Sequence, residues 1–146
     1  KPQGNDRSQI MAVANKEALI AIANTYYIGI MLSGKGGKEQ LNAAQKVKIA
    51  FPNQNNRGAH INVSGGGILK HSPNRENAEK FLEFLLSEEA QVHIVNNTFE
   101  YPVLESVKPH PIIESFGDFK MDKTSIADFG KYNPEAVKLM DRVSWQ

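Results

Sequence analysis

An apolar run, Ala18-Leu19-Ile20-Ala21-Ile22-Ala23, leads through Asn24-Thr25 into two adjacent tyrosines, Tyr26 and Tyr27. A short apolar run bounded by polar residues reads as a buried strand. Residues 26–32 read as a helix that begins at the tyrosine pair. Open α/β sheets bind their ligands beyond the carboxyl ends of the strands, and the tyrosines stand there. Neighbours on a regular helix project roughly 100° apart, because a turn takes ~3.6 residues. Two consecutive side chains therefore converge on one point only at a junction of this kind.

A phenol ionises near pH ~10 in water, and a bound cation stabilises the phenolate. On the residues alone two readings stay open. The pair is either two core or edge aromatics whose hydroxyls find ordinary partners, or an anionic site of hard oxygen ligands. The second would suit a hard cation far better than Zn²⁺ or Cu⁺. Fe³⁺ is the candidate of that kind.

The rest of the chain alternates short elements. Residues 8–16 predict an amphipathic helix with Ser8 as N-cap, and residues 39–45 a second short helix. Residues 47–51 alternate like a strand, and residues 60–63 and 67–69 read as strands around the bend Ser64-Gly65-Gly66-Gly67. Asn74 caps a helix with Ala78, Phe81, Leu82, Leu85 and Leu86 at helical spacing, and Ser87 restarts a helix through Val95. Prolines and polar residues dominate 108–124, and a last helix is expected from Pro134 to Arg142, proline being favourable in a first turn.

Composition narrows the class. The 146 residues suffice for one ordinary core, and 40% hydrophobic with 23% charged residues is a globular balance. A net charge of +1 gives no field for nucleic acid or a membrane surface. No apolar run is long enough to span a bilayer. Without cysteine there is neither a disulfide nor a thiolate metal site. The four histidines lack His-x-x-x-His spacing and read as structural positions. The glycine bend lacks the Gly-Lys-Ser/Thr ending of a phosphate-binding loop and reads as a sharp turn.

The segment Pro2-Gln3-Gly4-Asn5-Asp6-Arg7, the helix and strand after it, and Asn24-Thr25-Tyr26-Tyr27 together resemble the bacterial periplasmic ferric-ion-binding proteins, the solute receptors of iron ABC transporters. The stretch from Arg57 to Gly67 and the helical region 74–97 resemble them too, so the likeness runs in order through nearly the whole chain. It implies a type 2 periplasmic-binding-protein fold of the α/β class, present as an incomplete two-lobed segment. Family members are considerably longer, which implies a C-terminal portion. Residues 1–57 would then belong to the tyrosine-bearing lobe, 58–105 to the opposite lobe, and 106–146 to the return into the first. Lobes left incomplete would expose apolar surface, to be covered by the missing N-terminal part of the receptor or a second copy.

The resemblance implies Fe³⁺ ligated by Tyr26 and Tyr27, with a small anion such as carbonate or phosphate bordered by Asn24. Asn5 and Arg7 are the other candidates for that anion or for supporting the ligands. It implies a periplasmic location, an inner-membrane ABC permease as partner, no nucleic acid and no catalytic turnover. Three rivals stand beside it. One is a receptor of the same fold for an organic anion or polyamine. The second is an enzyme with a tyrosine general acid/base, and the third an assembly module with no small ligand.

Overall fold

The computed structural model describes residues 3–145, and among these the regular elements are seven helices. They fall into two compact units. One contains Gln3–Ile49 and Asn62–Asp118; the other contains residues 50–61 and 119–145.

In the larger unit, α1 (Asp6–Ala14), α2 (Thr25–Leu32) and α3 (Lys38–Ala44) pack around Ile10, Ile28, Met31, Ala43 and Ala44. The N-cap of α1 is Asn5 rather than Ser8. The Asn5 side chain accepts the Ser8 backbone N–H at 3.2 Å, and the Ser8 hydroxyl accepts that of Asn5 at 3.4 Å. Ser8 is thus the reciprocal member of a capping box, so the helix starts one turn-fraction earlier than the sequence suggested.

The chain continues through α4 (Arg75–Leu85) and α5 (Glu88–Thr98), near the positions expected from apolar spacing, though Asn74 makes no side-chain cap bond to α4 and α5 runs beyond Val95 to Thr98. Ser87 caps α5 as anticipated, its hydroxyl accepting the Ala90 N–H at 3.2 Å. Buried Gln91 satisfies both ends of its amide, donating to the Leu85 carbonyl at 2.8 Å and accepting the Val103 N–H at 3.0 Å. α5 stops on Phe99, a left-handed residue with φ 61°. The short helix α6 (Pro111–Glu114) lies inside the stretch that the prolines made look irregular. His110 caps it, Nδ1 accepting the Ile112 N–H at 3.1 Å, and Pro111 fills the first turn.

The runs read as strands, residues 18–23, 47–51, 60–63 and 67–69, form no ladder. The one β-bridge among the described residues is parallel and pairs Ala59 with Met121. A strand persists only where a neighbour satisfies its N–H and C=O groups, and no described segment pairs with residues 18–23. Their apolar side chains face solvent: Leu19 is 95%, Ile20 83% and Ile22 88% exposed.

In the smaller unit, Ala59 donates to the Lys120 carbonyl at 2.8 Å and Asp122 N–H donates to Ala59 at 2.8 Å. The Phe51 and Phe119 rings stack at 4.1 Å. Gly58 makes the approach possible. Its φ is +98°, and a Cβ there would meet Met121 backbone carbon at 2.6 Å and Lys120 oxygen at 2.7 Å. Gly58→Ala is expected to destabilise this unit by about 1–3 kcal/mol, read as faster amide exchange at Ala59 and Asp122. Unchanged protection at both would refute it.

α7 (Ile126–Arg142) starts eight residues before Pro134. Ser125 is the N-cap, accepting the Ala127 N–H at 3.3 Å, with Asp128 in the first turn. Pro134 therefore sits inside the helix, where it removes the hydrogen bond to the Gly130 carbonyl. Gly130 is exposed, so water can take the place of the missing donor.

Candidate metal centre

Tyr26 and Tyr27 occupy the first turn of α2, immediately after its N-cap Asn24. Their ring centroids are 4.2 Å apart, with planes tilted by 39°, and both side chains are half-buried. Behind them Ile28 and Gly29 are buried. Gly29 admits the Phe99 side chain, since a Cβ at 29 would lie 2.8 Å from the Phe99 Cβ and 2.9 Å from Ile113 Cδ1. The tyrosine turn thus rests on a floor made by α5 and α6.

The phenols are electrostatically linked. The Tyr26 phenol is pushed up to about 12, first by hydrogen bonding with the Tyr27 hydroxyl, then by burial and by the neighbouring Tyr27, Asp6 and Glu100 charges. In the metal-free chain Tyr26 is therefore firmly protonated at neutral pH. A multivalent cation between the two oxygens would reverse that preference, because its charge outweighs the repulsion that raises it.

Asn24 spends its side chain on linking segments rather than on capping its own helix. Its backbone N–H and its side-chain amide donate to Asp6 Oδ1 at 2.8 and 3.3 Å, and its Oδ1 accepts from Asn62 Nδ2 at 3.1 Å. Asp6 and Asn62 were not among the sequence candidates. Nothing local could have singled them out, since they lie 18 and 38 positions from Asn24. Glu100 also belongs to this neighbourhood, its carboxylate accepting the Ser64 hydroxyl at 3.1 Å. Of the other candidates, Asn5 is committed to the α1 capping box. Arg7 sits half-buried in the first turn of α1. Among the described residues no three His, Cys, Asp or Glu side chains cluster as a metal site.

The profile of the bacterial extracellular solute-binding protein family matches residues 2–92 of this chain. The chain belongs to that family. It is 46% identical over its whole length to iron uptake protein A1 of Synechocystis, of which it spans 40%. It is 31% identical over 112 residues to the major ferric iron-binding protein of Neisseria meningitidis. The ferric binding protein of Campylobacter jejuni superposes with a TM-score of 0.94 at 38% identity, the chain covering 46% of that structure. The Trichodesmium protein FutA, solved in complex with iron and citrate ligands, superposes at 0.91 with 47% identity and the same 46% coverage. The fold is thus that of type 2 periplasmic binding proteins, and the chain spans less than half the length of these relatives.

Proposed function

We propose that this chain is the tyrosine-bearing portion of a periplasmic receptor that captures Fe³⁺ through the phenolates of Tyr26 and Tyr27 and delivers it to an inner-membrane ABC permease. The observation that carries the reading is the pairing of two tyrosines on one helical turn, their ring centroids 4.2 Å apart and the Tyr26 phenol hydrogen-bonded with that of Tyr27. Two adjacent oxygens that become anionic together suit a small, hard, highly charged ion. Relatives named for ferric iron binding support the choice of ion. Arg7 would supply positive charge for a small synergistic anion, carbonate or phosphate, with Asn24 at its border. In the whole receptor the lobes would close around the ion by hinge bending.

A tyrosine general base needs its phenol lowered toward neutrality. Tyr26 is raised instead, which speaks against a general base there. The test is a titration of the chain with ferric citrate, followed by visible absorption. A phenolate-to-iron charge-transfer band is expected. Its absence both here and in the parent receptor, together with binding of an organic anion or polyamine, would replace iron as the ligand.

A further inference from the structure

We infer that Asp6 is a positioning residue of the tyrosine site: by holding Asn24 it fixes the entry into α2 and so the direction in which Tyr26 and Tyr27 point. This deepens the reading above and rests on it.

An N-cap asparagine ordinarily turns its side-chain oxygen onto the N–H groups of the first turn. Asn24 makes no such bond. Its oxygen is taken by Asn62 at 3.1 Å, and its backbone N–H and amide are both received by Asp6 Oδ1. The first turn of α2 is therefore located from outside the helix, by a carboxylate on α1 and an amide of the segment after residue 61. Asp6 is itself well placed. It is the first residue of α1, whose capping box anchors it, and α1 packs on α2 through Ile10 and Ile28. The chain from Asn24 to Tyr26 is two residues long, so an error in the backbone at 24 passes almost undamped to the phenol oxygens. A bidentate phenolate pair tolerates little such error, since displacement of about 1 Å loses a designed geometry.

The experiment compares Asp6→Ala and Asp6→Asn with the parent chain. The probe is ferric citrate, read by the charge-transfer band, and a second reading on the metal-free proteins takes amide exchange at Asn24 and Tyr26. Asp6→Ala removes the acceptor. It is expected to speed Asn24 exchange at least ~10-fold, shift the band and weaken apparent iron affinity ~10–100-fold, with the melting temperature of α1–α3 little changed. Asp6→Asn keeps an oxygen at Oδ1 and is expected to restore both the slow exchange and the band position. A parent band left identical in Asp6→Ala would overturn the role of Asp6 alone. Failure of Asp6→Asn to restore it would mean that charge, not positioning, is what Asp6 supplies, and would overturn the inference. No band in the parent receptor would overturn the iron reading, and unchanged Asn24 exchange in Asp6→Ala would separately overturn the contact.

Discussion

Replacing Tyr26 and Tyr27 together by phenylalanine is expected to abolish the ferric charge-transfer band while leaving the fold intact. The substitution removes only two oxygens. The rings, their 4.2 Å packing and the Gly29–Phe99 contact behind them remain. Each single replacement should weaken iron binding by more than the ~10–100-fold typical of residues that merely support ligands. Proton release sets the pH dependence of the same equilibrium. Tyr26 stays protonated in the free chain up to about pH 12, so ligation through its phenolate would have to release that proton. Protons therefore compete with iron, and apparent affinity falls as pH falls. Tyr26 alone contributes about tenfold per pH unit, or ~100-fold between pH 8 and 6, once the protonation of the chelator is accounted for. A band that survives the double replacement, or an affinity flat in pH, would remove the phenolates from the site.

The largest effect on stability is expected at Phe99. This side chain is 1% exposed and fills the space that Gly29 leaves against α2. The His110 ring meets it edge-on at 4.6 Å, and the Lys35 ammonium lies 4.8 Å from its centroid. Phe99→Ala should cost about 3–5 kcal/mol, a fall in melting temperature of roughly 10 °C or more for a domain of this size. The opposite change, Gly29→Ala, puts a methyl group into the same contact and should cost about 1–3 kcal/mol by overpacking. Thermal unfolding followed by circular dichroism measures both. A drop under 1 kcal/mol for Phe99→Ala would mean that the floor beneath the tyrosine turn is not part of the cooperative core.

What was legible in the sequence was local. The helices α2, α4 and α5 announce themselves by their apolar residues, and α5 also by its cap Ser87. The tyrosine pair was visible because its two members are neighbours in the chain. The cap expected at Ser8 had a local rival of the same chemistry, Asn5, which the capping box selects, and the start expected at Pro134 lost to Ser125, whose hydroxyl accepts a first-turn N–H as proline cannot. The missing strands reflect a different limit. Residues 18–23 have the composition of a strand, but pairing is a property of two segments, and composition describes only one. Asp6, Asn62 and Glu100 were illegible for the same reason, since each reaches its partner across at least 18 positions.

The exposed run of residues 18–23 has a consequence for how the chain behaves at high concentration. Six residues without charge or proline, with Leu19, Ile20 and Ile22 open to solvent, match the length and character of segments that stack into intermolecular cross-β. Nothing on the run itself acts as a gatekeeper; the nearest charges are Lys16 and Glu17 on one side only. The sequence that delivers the tyrosines to their position is thus also an aggregation liability of the chain.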